Sequence, residues 1–112
     1  GMDLPLSVVR RQIVSAIDLI VQQARLRDGS RKVTHITEVQ GLEGETVVLQ
    51  DIFIFDEKGE NETGKVIGEL IPTGIRPKFT DRLSKHGFNL PPTIFMKPGQ
   101  ADILGGKGKR GR

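Results

Sequence analysis

The sequence predicts an α+β fold: an antiparallel meander of about four strands joined by hairpins, with an N-terminal helix and a short C-terminal helix. Apolar residues recur at helical spacing only near the start of the chain and again after its middle. Between these segments lie strand-like apolar runs separated by Asp-Gly and Gly-rich turns. The chain has five Phe but no Trp or Tyr, so its core must depend on Val, Ile and Leu, of which the β-branched Val and Ile favour strands.

The first elements are a helix, a strand and a hairpin turn. Asp3 followed by Pro5 suits a helix start, and the apolar spacing predicts a helix over about residues 4–16. Residues 18–26 predict a strand that is buried on both faces at its start, because Leu19 to Val21 are consecutive apolar residues. The turn Arg27 to Ser30 contains Asp-Gly, which accepts the positive backbone dihedrals of a tight hairpin and pairs this strand with residues 32–40.

A second hairpin and a short helix complete the predicted fold. We expect strands over residues 46–55 and 65–71, joined by an acidic turn over residues 56–64. Gly68 within the fourth strand predicts a bulge or a close backbone approach. Pro77 opens a short helix that Gly87 closes. Three prolines then exclude regular structure from Leu90 onward.

Composition limits the classes of protein to consider. A chain of 112 residues accommodates one small domain, which we place at residues 1–95. It has no cysteine, so disulfides, thiolate metal sites and thiol nucleophiles are excluded. No apolar run in the sequence approaches the length of a membrane span.

The positive net charge comes from the end of the chain. Residues 105–112 hold four of the 17 basic residues and none of the 14 acidic ones, so the rest of the chain is nearly neutral. We expect residues 96–112 to be a disordered Gly/Lys/Arg-rich tail. One alternative function is therefore a small nucleic-acid or anion-binding module that uses this tail, although the tail lacks aromatic residues on which a base could stack. The basic residues of this candidate anion-binding tail are Lys107, Lys109, Arg110 and Arg112.

Two features of the sequence could indicate a binding or catalytic site, but each is weak evidence for one. The string from Gly59 to Lys65 matches the phosphate-binding pattern GxxxxGK(S/T) up to its last position, where Val66 replaces the hydroxyl that would bind magnesium. It also carries two Glu and precedes a predicted strand, so a hairpin loop is the better interpretation. The only histidines, His35 and His86, have no second ligand at metal-binding spacing. The sequence predicts no catalytic, cofactor-binding or metal-binding residue.

The most informative cluster is a basic trio around the first hairpin turn. Arg25, Arg27 and Arg31 bracket Asp28-Gly29 and are expected to project from one hairpin tip. Guanidinium groups placed in this way can bind phosphate bidentately. The alternative is a solvated turn in which an arginine pairs with Asp28, which contributes little energy.

The residues from Ala16 to Gly44 form one long ordered string, AIDLIVQQARLRDGSRKVTHITEVQGLEG. This string resembles the ATPases of type II and type IV secretion systems, most closely the Flp (Tad) pilus-assembly branch. The resemblance continues through LQDIF at residues 49–53 and TGIRPKF at residues 73–79, includes GMDLP at residues 1–5, and covers about residues 1–95. Members of this family are cytoplasmic hexameric rings, peripheral to the inner membrane. Their RecA-like C-terminal domain binds ATP and Mg²⁺.

The family's Walker A, Asp-box, Walker B and His-box motifs all precede the matched stretch, and this sequence has no counterpart of them. The resemblance therefore implies a non-catalytic C-terminal portion of the RecA-like motor domain, with no cofactor of its own. It also implies that the hairpin arginines face a neighbouring subunit and that the inner-membrane platform is a partner. Because Leu19 to Val21 would lack the strands beside them, we expect a dimer or a strand-exchanged oligomer.

Overall fold

A computed structural model describes residues 5–100 of the protein. Four strands form one antiparallel sheet in the order β1-β2-β3-β4, preceded by one helix and followed by another. The predicted α+β fold is therefore confirmed. The elements are α1 (Leu6–Ala16), β1 (Leu19–Arg25), β2 (Arg31–Glu43), β3 (Thr46–Glu60), β4 (Val66–Pro72), α2 (Phe79–Lys85) and a final 3₁₀ helix (Pro92–Phe95).

Helix α1 lies loosely on the sheet. Pro5 precedes its first turn, and the helix ends where Ile17 adopts an extended backbone. None of its residues is buried, although it contacts β2 and β3. An exposed ion pair of 3.4 Å between Arg10 and Glu45 joins it to the β2–β3 turn. The predicted helix is confirmed over these residues, whereas the predicted cap at Asp3 lies outside the described residues.

Strand β1 is at one edge of the sheet, and the prediction that both of its faces are buried at its start is wrong. Leu19, Ile20 and Val21 keep 41%, 40% and 55% of their surface exposed. A consecutive apolar run indicates burial only where elements cover both faces. In the described part of the chain β1 pairs with β2 on one side only.

The best-buried side chain of the core is at an irregularity in β3. The β2–β3 register shifts at this point, so that Ile36 is opposite Phe53 while Thr37 is opposite Asp51. The residue between them, Ile52, is only 1% exposed. The hydroxyl of Thr73 lies 2.8 Å from the Asp51 carbonyl oxygen, and the Thr73 amide donates to the Ile52 carbonyl at 2.9 Å. These bonds satisfy backbone groups that the bulge removes from the regular ladder.

The second hairpin is longer than the sequence predicts. Strand β3 continues to Glu60, and the turn is confined to residues 61–65 instead of 56–64. Charged side chains after Phe55 hide the strand pattern, but their backbone still pairs with β4. The close approach predicted at Gly68 is confirmed, because a Cβ there would lie 2.5 Å from the Asp56 carbonyl oxygen and 2.6 Å from a ring atom of Phe55.

An aromatic cluster connects the C-terminal segment to the sheet. The Phe95 ring lies 6.0 Å from that of Phe53 in β3 and 6.5 Å from that of Phe79 in α2, measured between centroids. Phe95 is buried and belongs to the 3₁₀ helix that begins at Pro92. The expectation of no regular structure after Leu90 is therefore wrong, because proline suits the first turn of a short helix.

Candidate functional site

The β1–β2 turn is shaped by one glycine and one aspartate. Gly29 has a φ of 89°, and no other residue type in the described chain has a positive φ. The turn therefore differs from a two-residue Asp-Gly turn, in which both central residues have positive φ. The Leu26 amide donates to the Ser30 carbonyl at 2.7 Å and closes the loop. One oxygen of Asp28 accepts from the Ser30 amide at 2.9 Å and from its hydroxyl at 2.6 Å.

The same aspartate fastens the turn to the second hairpin. Its other carboxylate oxygen accepts from the Val66 amide at 2.7 Å, at the first residue of β4. The hydroxyl of Ser30, then the amides of Val66 and Ser30, stabilise the charged carboxylate and hold the pKa of Asp28 well below its ordinary value. Within residues 5–100, Asp28 thus pairs with no arginine, and its hydrogen bonds come from neutral donors on two hairpins.

Arg27 also contacts the second hairpin. Its Nε donates to Glu60 at 2.6 Å and its Nη1 to Glu57 at 2.9 Å, while Nη2 contacts the second Glu57 oxygen. These hydrogen bonds raise the pKa of Arg27, and the arginine lowers the pKa of Glu57. All three side chains are about half exposed, so the cluster fixes geometry more than it adds stability.

Arg25 and Arg31, the other two members of the trio, are placed differently. They are paired Cα partners at the end of the β1–β2 ladder, and both are exposed. Neither forms an ion pair within residues 5–100. The positive charge of this pair is therefore not balanced by a carboxylate within residues 5–100. Like charges directly opposite each other in a sheet also repel. The structure therefore divides the trio into one arginine bound within the chain and two that face solvent.

The string that resembles a phosphate loop is a hairpin turn, as the sequence analysis favoured. The Asn61 side-chain oxygen accepts from the Thr63 and Lys65 amides, both at 2.9 Å. The Asn61 amide donates to the Lys65 carbonyl and closes the loop. These amides point into the turn, where a phosphate loop would direct them to a ligand.

A buried glutamate holds α2 against the sheet, and the sequence analysis missed it. Glu38 in β2 is only 3% exposed. Its two carboxylate oxygens accept from the Lys78 and Phe79 amides, each at 2.9 Å, and Gln40 donates a third bond. The only available signal was a Glu within a mixed strand, which gives no indication of an acceptor for a helix 40 residues away.

An apolar cleft of about 390 Å³ opens between α2 and the start of β1. An ion pair of 2.9 Å between Asp18 and Arg82 closes one side of it. His86 lines the cleft, whereas His35 lies in β2 with its Nδ1 3.0 Å from the Thr34 hydroxyl. The two histidines therefore belong to different parts of the molecule. The cleft is lined by Asp18, Leu19, Phe79, Arg82, Leu83 and His86.

Residues 5–100 contain no group of three His, Asp or Glu side chains placed to hold a metal ion. No helix within residues 5–100 has the length and apolar character needed to cross a bilayer. The tail residues Lys107, Lys109, Arg110 and Arg112 lie outside the described residues. In comparisons with known proteins, the chain matches no family model and no curated protein.

Proposed function

We propose that this chain is the non-catalytic C-terminal portion of a type II/IV secretion or Flp-type pilus-assembly ATPase. In this role it completes the fold of a motor domain and contacts neighbouring subunits. The motor acts in the cytoplasm against an inner-membrane platform, and ATP and Mg²⁺ bind elsewhere in it. The proposal starts from the long ordered resemblance between residues 1 and 95, and it is supported by one structural observation.

That observation is the open edge of the sheet at β1. Its first three residues are apolar and about half exposed, and its outer side has no partner strand within residues 5–100. An exposed apolar edge favours addition of another strand, and soluble proteins usually protect such edges. A sheet that continues into the rest of a motor domain explains why β1 has the sequence of a buried strand.

The solvent-facing arginines fit a subunit contact. Arg25 and Arg31 present two guanidinium groups at one end of β1, where a carboxylate of a neighbouring subunit would neutralise both. Arg27 has an internal role in this proposal, because Glu57 and Glu60 already bind it. Self-association of the isolated chain, as a dimer or a strand-exchanged oligomer, follows from the same open edge.

A phosphate-release assay with the chain of 112 residues tests the catalytic part of the proposal. We expect no magnesium-dependent ATP hydrolysis and no shift of the thermal midpoint on adding ATP, because most amides of the hairpin turn at residues 61–65 already donate within it. The bonded amides are those of Asn61, Thr63, Gly64 and Lys65. ATP hydrolysis by this chain would contradict the proposal.

The coding sequence upstream of the chain tests the family assignment. We expect an intact GxxxxGK(S/T) motif there, and its absence would also contradict the proposal. Salt-sensitive DNA binding that is lost on deletion of residues 105–112 would support the anion-binding alternative instead.

A further inference from the structure

The two edges of the sheet differ in their protection against strand addition. Edge strand β4 carries Glu69, ends at Pro72, which has no amide to donate, and pairs with β3 across an irregularity beside Gly68. Charge, proline and bulges are the features that block pairing at an edge. Edge strand β1 carries neither charge nor proline over residues 19–24, although its pairing with β2 also shifts register between Gln22 and Gln23. Addition of a strand is therefore favoured at β1.

The backbone of β1 is oriented for this addition. The Val39 amide donates to the Asp18 carbonyl at 2.9 Å, so the polar groups of Asp18 point toward β2. In an antiparallel ladder this orientation alternates, which directs the amides and carbonyls of Leu19, Val21 and Gln23 to the open side. Leu19 also lines the apolar cleft beside α2, which leaves room there for an added aliphatic side chain.

We propose that the strand added at this edge is β1 of a second copy, paired antiparallel about a two-fold axis at Ile20. In this register Ile20 is opposite Ile20 of the other copy, and Leu19 is opposite Val21 twice. Asp18 is opposite Gln22, a carboxylate against an amide donor, and no like charges meet. The apolar residues that are exposed in one copy thus cover each other in two.

Other symmetric registers fit this sequence less well. An axis at Gln22 would place Leu19 opposite Arg25, and an axis at Val21 would place Leu19 opposite Gln23. The Ile20 register is the one that keeps apolar residues together on both faces of the sheet. Because pairing consumes both β1 edges and leaves the protected β4 edges outside, the assembly closes as a dimer.

This inference does not depend on the motor assignment, because it rests only on the edge of the isolated chain. If the chain does not form a dimer, the predictions of no ATP hydrolysis and of a phosphate-binding motif upstream of the chain are unaffected. Conversely, ATP hydrolysis by the chain would contradict the motor proposal while the dimer could still form.

Light scattering coupled to size-exclusion chromatography tests the interface. We expect the wild-type chain to have twice the 12.3 kDa mass of one copy, and Val21→Lys to have the mass of one copy. The matched control is Ile67→Lys, which places the same charge at a residue 46% exposed in the protected edge strand and should remain dimeric. Circular dichroism checks that both variants fold. A monomeric wild type, a larger assembly, or loss of the dimer only in Ile67→Lys would overturn the proposal.

Oxidative cross-linking tests the register, since the chain has no cysteine of its own. Ile20 would form a non-hydrogen-bonded pair across the axis, with Cα atoms about 4.5 Å apart, close enough for a disulfide. We expect Ile20→Cys to form a covalent dimer at least ten times faster than Gln22→Cys, whose sulfur atoms would lie far apart. Faster cross-linking through Gln22→Cys or Val21→Cys would overturn the Ile20 register.

Discussion

Asp28 joins two hairpins through bonds to neutral donors, and its charge is the reason these bonds are strong. A carboxylate that accepts several N–H and O–H bonds is stabilised in its ionised form. Asp28 accepts two from Ser30 and one from Val66, which is 38 residues away in the sequence. The Asp28 carboxylate therefore links the β1–β2 hairpin to the β3–β4 hairpin.

The hydrogen-bonded carboxylates that link the two hairpins predict a loss of stability in acid. The pKa values of Asp28 and Glu57 are lower in the folded chain than in the unfolded chain. Their contribution is therefore fully present above the unfolded values of about 4 and is lost as the pH falls through the folded values. We expect the urea midpoint to fall between pH 5 and pH 3.

The variant Asp28→Asn isolates the aspartate's share of this effect. It should lower the urea midpoint at pH 7 and flatten its dependence on pH, because asparagine does not titrate. Asp81→Asn is the control, since Asp81 is 78% exposed and makes only a 3.6 Å contact with Arg76. Equal effects of the two substitutions at pH 7 would contradict a stabilising link through Asp28.

Helix α2 depends on a contact from the sheet. It has only seven residues, and no side chain of its own caps its first turn. Short helices gain most of their stability from tertiary contacts, and Glu38 supplies one by accepting from the Lys78 and Phe79 amides. The position of the helix, and with it the cleft beside β1, therefore depends on a single strand residue.

We predict that Glu38→Ala destabilises the fold by about 2 kcal/mol, because it removes charged hydrogen bonds and leaves two amides without a partner. Urea unfolding measures this change, and hydrogen exchange should show faster exchange at the Lys78 and Phe79 amides. Glu43→Ala is the control, since Glu43 is exposed at the end of the same strand. A loss no larger than that of the control would show that α2 is held by other contacts.

Local signals predicted the elements, whereas contacts between distant elements could not be predicted. The positive φ at Gly29 and the close approach at Gly68 follow from what glycine permits in a turn or strand. The Arg27 contact with Glu57 spans 30 residues, and no spacing rule connects these two positions. Strand β3 was predicted too short for a related reason, because its last residues are held by backbone pairing with β4 and carry a charged sequence.

The same reasoning explains the wrong prediction for β1. Its composition is that of a buried strand, and composition reports the environment for which a segment is suited. Whether that environment is present depends on the elements that lie beside it. In residues 5–100 only β2 does so, and the apolar residues at the start of β1 remain exposed.

At the scale of the molecule, charge is arranged unevenly around the sheet. The acidic residues Glu57 and Glu60 are bound by Arg27, and Asp56 is bound by Lys58 at 2.6 Å. Arg25 and Arg31, by contrast, oppose each other without a carboxylate partner in the described part of the chain. A like-charge pair of this kind weakens the isolated fold. Its presence is understandable if another subunit supplies the missing carboxylate.

This interpretation predicts opposite effects on stability and on assembly. We expect Arg25→Gln to raise the free energy of unfolding of the isolated chain by about 0.5 kcal/mol, because it relieves the repulsion. Urea unfolding measures this change at a concentration where light scattering shows a single assembly state. Arg11→Gln removes a charge at an exposed residue in the middle of α1 that forms no ion pair within residues 5–100, and it should leave the free energy unchanged. In a longer protein that includes the phosphate-binding motif, Arg25→Gln should weaken subunit assembly. A stability loss in the isolated chain would instead mean that Arg25 stabilises the fold, and the case for a subunit contact at this hairpin would fail.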